Sequence, residues 1–212
     1  LEPFLRKIEV AKPDFIFIGG SSVAKSDFDR CVSVVKSMLS IPIVLFPGAS
    51  HHLSNHADAL LFLSLISGRN PDFLIGQHVE ATDELAKLDI ETIPTSYLLI
   101  DGGKMTSVQY ISRTQPIPQD EISIAKKTAL AGKHLGQKLI YADAGSGAIH
   151  PISSAMIKAL STVNSPLIIG GGLKTIKGIR EAHESGANLV VIGNKLEEDI
   201  DFLLDLKSYM KA

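Results

Sequence analysis

Seven apolar runs of strand length alternate with helical segments, and this alternation constrains the fold more than any other feature of the sequence. The runs are Asp14–Gly20, Ile41–Gly48, Ala59–Leu65, Thr92–Asp101, Leu139–Ala144, Pro166–Ile169 and Leu189–Ile192. Helical periodicity marks the segments Ser26–Leu39, Pro71–Leu88, Glu121–Leu135, Ser153–Val163, Thr175–Ser185 and Leu196–Met210. Unbroken apolar runs are typical of parallel strands that are buried on both faces. The pattern therefore predicts an α/β fold.

The order of the elements favours a barrel. Strands that alternate with helices predict a parallel sheet with right-handed crossovers, and eight strands close a TIM barrel. Residues 1–11 have helical spacing, although a parallel barrel normally starts with a strand. We therefore expect one further strand ahead of Leu1, which would complete a (β/α)8 barrel. An open doubly wound sheet is the alternative. Because the composition shows no linker, we expect residues 1–212 to form a single barrel domain.

Two glycine clusters follow the last two predicted strands. Gly170, Gly171 and Gly172 end one strand, and Gly193 with Asn194 ends the next. Glycine lets the backbone approach an anion closely with its N–H groups, and the loops after strands seven and eight of a barrel commonly bind phosphate. The clusters predict a phosphate site, although tight turns alone would also require glycine. The first cluster does not fit the G-x-G-x-x-G pattern of a dinucleotide fold.

The preceding strand ends in the polar run YADAGSGA (141–148). Tyr141, Asp143 and Gly145 share one face of an extended strand, so the phenol and the carboxylate are expected to point together into the barrel mouth. A carboxylate there can accept a proton from a substrate hydroxyl. The alternative is that Asp143 caps a turn and Tyr141 packs in the core. Ser146 does not lie in a G-x-S-x-G nucleophile elbow.

Charge and composition exclude several functional classes. The 21 basic residues nearly balance the 23 acidic ones, for a net charge of −2, which gives no electrostatic basis for binding nucleic acid. Cys31 is the single cysteine, so an internal disulfide is excluded and a cytoplasmic location is expected. No apolar run reaches the roughly 18–20 residues of a membrane span.

Several motifs, taken together, resemble one known family. They are FIGGSSV (17–23), FPGASHHLSNHADALLFLSLISGRNP (46–71), IPTSYLLIDGGKMTSVQYISRTQPIP (93–118), YADAGSGA (141–148), IIGGGLKT (168–175) and VIGN (191–194). The chain resembles the geranylgeranylglyceryl phosphate synthase family, in the second of its two main groups, which also includes the bacterial heptaprenylglyceryl phosphate synthases. The resemblance covers essentially the whole chain. It implies a (β/α)8 barrel with one covering helix replaced, in agreement with the short polar segment Ala49–Asp58.

The resemblance also implies an activity. The 3-hydroxyl of sn-glycerol 1-phosphate would attack C1 of a long isoprenyl diphosphate, geranylgeranyl diphosphate being the expected one, and diphosphate would leave. Asp143 and Tyr141 would be the catalytic pair, and Mg²⁺ would be the cofactor, with Ser21 at a position that the family assigns to the metal. The implied substrate-binding residues are Tyr141, Ala142, Asp143, Ala144, Gly145, Ser146, Gly147, Gly171, Gly172, Gly193 and Asn194. A homo-oligomer is expected, with peripheral membrane contact through the lipid product.

Two features depart from the family pattern. The family usually has glutamate where Asp143 stands, and its first strand carries an Asp-Pro-Asp-Lys-like motif with the principal Mg²⁺ ligand, which these 212 residues lack. Two other functional classes therefore stay open from the residues. One is another phosphate-binding barrel, such as a flavin-binding oxidoreductase or a sugar-phosphate isomerase. The other is a barrel that binds its ligand without catalysis.

Overall fold

The structure, a computed structural model, describes residues 2–20 and 23–210, with the exception of the Met210 side chain. Within these residues lie seven strands: β1 (Ile16–Gly20), β2 (Ile43–Pro47), β3 (Ala59–Ser64), β4 (Glu91–Leu99), β5 (Leu139–Asp143), β6 (Leu167–Gly170) and β7 (Leu189–Val191). The sheet has the order β1-β2-β3-β4-β5-β6-β7. A doubly wound sheet reverses its strand order at a switch point. The unbroken sequential order therefore excludes that alternative.

The helices of the same residues are α1 (Glu2–Ala11), α2 (Lys25–Met38), α3 (Gln77–Leu85), α4 (Ser107–Ser112), α5 (Ile122–His134), α6 (Ser154–Ser161), α7 (Ile176–Glu184), α8 (Asn194–Glu198) and α9 (Phe202–Met210). Side chains cap several of their first turns. Ser153 accepts a hydrogen bond from the Met156 N–H at the start of α6, and Thr175 accepts one from the Gly178 N–H at the start of α7. These caps satisfy N–H groups that have no partner within the helix. No helix among the described residues is both long and apolar enough to cross a membrane.

The backbone divides into two compact units. The first comprises the described residues of Leu1–Phe62, Gly76–Ile93 and Leu196–Ala212. Strands β1 and β2 pair in parallel within it, in the register Ile16 with Ile43, and the side chains of Phe28 and Val32 on α2 are fully buried. Asp58 accepts a hydrogen bond from the Ile43 N–H at 2.7 Å and so fixes the chain beside β2.

The segment Ala49–Asp58 contains turns and no helix, as the sequence predicted. A buried histidine fills part of the space. The His52 ring stacks on Phe28 with a centroid distance of 4.6 Å, accepts a hydrogen bond from the Gly48 N–H through Nδ1, and bonds the Val23 carbonyl through Nε2. Burial lowers the pKa of His52. The neutral ring is therefore a packing element of this segment.

The second unit comprises Leu63–Ile75 and Pro94–Lys195. Strands β4, β5 and β6 pair in parallel here, with Tyr97 beside Tyr141 and Tyr141 beside Ile168. All five residues of β5 are buried. On the face of β4 opposite to Tyr97, Gly132 of α5 packs closely on Ser96, and a Cβ added to Gly132 would overlap the Ser96 side chain. The predicted single domain stays a prediction.

Two predicted helices differ from the structure. Pro71–Leu88 contains a π-helical turn (Asp72–Gly76) ahead of α3, because apolar spacing does not distinguish the two hydrogen-bond patterns. Leu196–Met210 is interrupted between α8 and α9. There the Asp199 carboxylate accepts a hydrogen bond from the Asp201 N–H at 3.2 Å, a local bond that competes with the helical one.

Candidate functional site

The predicted site residues that the structure describes all lie in the second unit. Tyr141, Ala142 and Asp143 belong to β5, and Ala144, Gly145, Ser146 and Gly147 form the turn that follows it. Gly171 and Gly172 follow β6, Gly193 follows β7, and Asn194 begins α8. Gly145 has φ +87° and Gly171 has φ +80°, a region that glycine enters without strain. The prediction that Tyr141 and Asp143 share a face is confirmed, whereas Gly145 already lies in the turn.

Two donors hold the carboxylate of Asp143. The Tyr97 hydroxyl donates to Oδ2 at 2.6 Å, and the Gly145 N–H donates to Oδ1 at 2.8 Å. The side chain is buried, with 8% of the residue exposed. Burial raises the pKa of the Asp143 carboxyl above its ordinary value, and the two hydrogen bonds oppose that rise. A carboxylate in this setting is a stronger base than one in water, and its orientation is fixed.

Tyr97 is a site residue that the sequence analysis missed. It lies on β4, 46 residues before Asp143, and only the register between β4 and β5 brings it beside Tyr141, with ring centroids 5.7 Å apart. Burial raises the pKa of Tyr97 well above its ordinary range, and the Asp143 charge adds to this; burial acts likewise on Tyr141. Both phenols therefore stay protonated. The signal that could have found Tyr97 is its position on the inward face of the neighbouring strand.

The loops after β5, β6 and β7 meet. An added Cβ on Gly171 would stand 2.8 Å from Asp143 Oδ1 and 2.7 Å from the Gly145 nitrogen, so the backbone after β6 lies against the carboxylate. The Asn194 side-chain oxygen accepts from the Gly147 N–H at 2.6 Å and from the Ser146 hydroxyl at 3.1 Å, which joins α8 to the turn after β5. The predicted convergence of these loops on one place is therefore present.

The backbone N–H groups of the site fall into two sets. Those of Ala144, Gly145 and Gly147 donate to the Gly170 carbonyl, the Asp143 carboxylate and the Asn194 side chain. Those of Gly171, Gly172 and Gly193 donate to no acceptor in the described part of the protein. Gly171 and Gly172 are half-buried, where N–H groups are normally paired, whereas Gly193 is exposed. The second set can therefore donate hydrogen bonds to the oxygens of an anionic ligand, whereas the first set shapes the turn.

The described residues show no cluster of side-chain ligands that would by itself indicate a metal site. They contain no cluster of three or more His, Cys, Asp or Glu side chains that could hold a metal ion, and both oxygens of Asp143 already accept protein hydrogen bonds. Ser21, the predicted metal position, lies outside the described residues. The adjacent His51 and His52 form no metal pair, because both His52 ring nitrogens have protein partners.

Comparison with known proteins identifies the family. The model of the PcrB family matches residues 5–209. The chain belongs to the PcrB family. The geranylgeranylglyceryl phosphate synthase of Chitinophaga pinensis is 45% identical over 97% of this chain and 82% of the relative. That of Spirosoma linguale is 46% identical over 93% of this chain and 80% of the relative.

A solved structure of the same kind supports this family membership. It is (S)-3-O-geranylgeranylglyceryl phosphate synthase from Thermoplasma acidophilum in complex with sn-glycerol 1-phosphate, with a TM-score of 0.90, 29% identity, and coverage of 97% of this chain and 83% of that one. The resemblance inferred from the motifs and the predicted TIM-barrel fold class are both confirmed. The alternative assignments to a flavin oxidoreductase or a sugar-phosphate isomerase lose their support.

Proposed function

We propose that this PcrB-family protein is a prenyltransferase that joins sn-glycerol 1-phosphate to geranylgeranyl diphosphate through an ether bond. One observation carries the proposal: the oriented carboxylate of Asp143 lies at the end of β5, where the following turn adjoins the loops with the unbonded N–H groups of Gly171, Gly172 and Gly193. The relatives at 45–46% identity support the reaction. The structural neighbour with sn-glycerol 1-phosphate supports the acceptor substrate.

Asp143 would act as the proton acceptor. The glycerol 3-hydroxyl attacks C1 of the isoprenyl chain, the new C–O bond forms as the bond from C1 to the diphosphate oxygen breaks, and the hydroxyl proton passes to Asp143. The raised pKa of Asp143 favours this transfer, because the base then holds the proton more tightly. Tyr97 positions the carboxylate through Oδ2. Tyr141, whose hydroxyl would stand 2.5 Å from a Cβ on Gly170, forms the wall beside the glycerol.

The glycerol phosphate would bind at the free N–H groups. Gly171, Gly172 and Gly193 offer donors, and positive φ angles of +80° and +72° at the first two turn the backbone toward the loop after β5. Asn194 contributes by holding Ser146 and Gly147. Ala142, Ala144 and Gly145 would bind through shape, since the N–H groups of Ala144 and Gly145 have protein acceptors.

Magnesium dependence is a further part of the proposal. A divalent cation would spread the charge of the leaving diphosphate, and Mg²⁺ commonly binds through few protein ligands and the substrate phosphates. Its support is the sequence match at Ser21 and the chemistry of the leaving group. None of the steps assigned to Asp143, Tyr97 and the glycines depends on it.

A homo-oligomer in the cytoplasm, in contact with a membrane surface through its lipid product, completes the proposal. A patch of exposed apolar side chains supports a subunit contact: Met105, Tyr110 and Ile111 are 68%, 74% and 44% exposed. Light scattering coupled to gel filtration tests the oligomer. A Tyr110→Lys variant should shift the protein to a smaller assembly, and a monomeric wild-type protein would remove this part of the proposal.

The reaction itself is tested by mass spectrometry. The intact protein is incubated with Mg²⁺, sn-glycerol 1-phosphate and geranylgeranyl diphosphate, and the ether product is quantified. The matched control replaces the acceptor with its enantiomer, sn-glycerol 3-phosphate, which should react far more slowly. Failure to turn over farnesyl, geranylgeranyl or any longer diphosphate would refute the proposal. Binding of sn-glycerol 1-phosphate without product would instead indicate a ligand-binding barrel.

A further inference from the structure

Lys104 lies against the proposed phosphate site, although the sequence analysis assigned it no role. It belongs to the loop that follows β4, and its ammonium group lies over Gly147. An added Cβ on Gly147 would stand 2.7 Å from Lys104 Nζ. The N–H of the same glycine donates to Asn194 at 2.6 Å. The lysine therefore reaches the place where the turn after β5 meets the start of α8.

Hydrogen bonds and packing fix the backbone on both sides of Lys104. The Gly102 carbonyl accepts from the N–H groups of Ile149 and His150 at 2.8 and 3.1 Å. The Gly103 N–H donates to the Asp101 carboxylate at 2.9 Å. On the other side, Thr106 caps the start of α4, and an added Cβ on Gly145 would overlap its side chain. The backbone on both sides of Lys104 is therefore fixed, and its ammonium group lies at Gly147.

The charge of Lys104 is not neutralised within the described part of the chain. It makes no ion pair there, whereas Lys7, Lys25, Lys36 and Lys177 each pair with a carboxylate. The site beside it holds the buried carboxylate of Asp143, and the free N–H groups carry only partial charges. A phosphate placed beside Asp143 would be repelled by it. An ammonium group at Gly147 would offset that repulsion.

We infer that Lys104 binds the phosphate of sn-glycerol 1-phosphate and is a determinant of specificity for a phosphorylated acceptor. The inference rests on the proposed function. The ammonium of lysine is a compact point charge that suits a phosphate oxygen. Its position at Gly147, whose N–H donates to Asn194, assigns it to the acceptor phosphate. The phosphates of the isoprenyl diphosphate share this chemistry, so the experiment must separate the two sources.

Titration calorimetry on the intact protein makes this separation. The dissociation constants of sn-glycerol 1-phosphate and of geranylgeranyl diphosphate are measured for wild type, Lys104→Met, Lys104→Arg and Lys127→Met. Lys127 is an exposed lysine on α5, so its substitution removes the same charge elsewhere. We expect Lys104→Met to weaken sn-glycerol 1-phosphate binding about tenfold, as for one lost charge-assisted contact. Lys104→Arg and Lys127→Met should stay close to wild type, and thermal unfolding should be unchanged in all variants.

Each other outcome has a defined meaning. Equal affinity of Lys104→Met and wild type for sn-glycerol 1-phosphate would overturn the inference and leave the proposed function intact. A loss confined to geranylgeranyl diphosphate would also overturn it, because the lysine would then serve the leaving group. If Lys127→Met weakened sn-glycerol 1-phosphate binding as much as Lys104→Met, the loss would reflect net charge alone and would overturn the inference. If wild type itself failed to bind sn-glycerol 1-phosphate, the proposed function and this inference would fall together.

Discussion

Replacing Tyr97 by phenylalanine tests the role assigned to the buried carboxylate. The substitution removes one hydroxyl, the donor that lies 2.6 Å from Asp143 Oδ2, and leaves the aromatic ring beside Tyr141. Tyr97 and Asp143 are 4% and 8% exposed, so water is a poor substitute for the lost donor. The Gly145 N–H still holds Oδ1 at 2.8 Å. The variant therefore weakens the orientation of the base without removing the base.

The expected magnitude follows from this single bond. A hydrogen bond to a charged group is worth about 1.5–3 kcal/mol. Because about 1.4 kcal/mol corresponds to a factor of ten, kcat/KM should fall roughly 10- to 100-fold on the acidic limb of the pH–rate profile, where the rate depends on how much of Asp143 is ionised. The bond from Tyr97 lowers the pKa of Asp143, so its loss raises that pKa further. The acidic limb of the pH–rate profile should move to higher pH, and the deficit should shrink at high pH.

The pH dependence of folding stability should also shift to higher pH in Tyr97→Phe. The folded-state pKa of Asp143 lies above its ordinary value, so the folded protein holds the proton more tightly than the unfolded chain. Stability therefore falls as pH rises from the ordinary carboxyl pKa through the folded-state pKa. The Tyr97→Phe substitution extends this loss to higher pH. Melting temperatures across a pH series should show a larger deficit for the variant above that window than below it.

The assay is kcat/KM for sn-glycerol 1-phosphate as a function of pH, at a saturating concentration of geranylgeranyl diphosphate. Tyr110→Phe is the matched control, because it removes the same hydroxyl from a tyrosine that is 74% exposed in the single chain and keeps the aromatic ring of the proposed subunit contact. Its profile should coincide with that of wild type. An unshifted acidic limb in Tyr97→Phe, together with unchanged kcat/KM, would refute the assignment of Tyr97 as a positioning residue.

Three further predictions address the rest of the site. Gly171→Ala places a Cβ 2.8 Å from Asp143 Oδ1 at φ +80°, and calorimetry should detect no binding of sn-glycerol 1-phosphate. Gly136→Ala is the control, because Gly136 has a similar φ of +88° and nothing within 4 Å of an added Cβ. It should bind normally and lose only about 1 kcal/mol of stability in denaturant titrations. Asp143→Asn should lower kcat about 10²- to 10⁴-fold by removing the proton acceptor. Its melting temperature relative to wild type should rise with pH, because no buried charge forms; a constant difference would contradict the raised pKa. Chelation should abolish turnover and added Mg²⁺ should restore it, and full activity in excess chelator would remove the metal from the proposal.

The break between α8 and α9 and the π-helical turn ahead of α3 show where a pattern of apolar residues stops being informative. Apolar spacing records which face of a segment is buried. It does not record competing local bonds, such as that between Asp199 and Asp201, or a change in the number of residues per turn. The same limit applies to His52, whose burial on Phe28 follows from the absence of a helix over Ala49–Asp58.

The amino-acid sequence by itself determined the α/β class, the family, and the loops that form the candidate site. Apolar runs and glycines act locally: they set where each parallel strand ends, and the ends of parallel strands lie at one edge of the sheet. Tertiary structure alone decided that Tyr97 holds Asp143, that Asn194 holds Gly147, and that Lys104 reaches the same turn. These contacts join residues 43 to 47 positions apart in sequence. They depend on the register between strands and on the packing of loops, and both are set by how the strands and loops assemble.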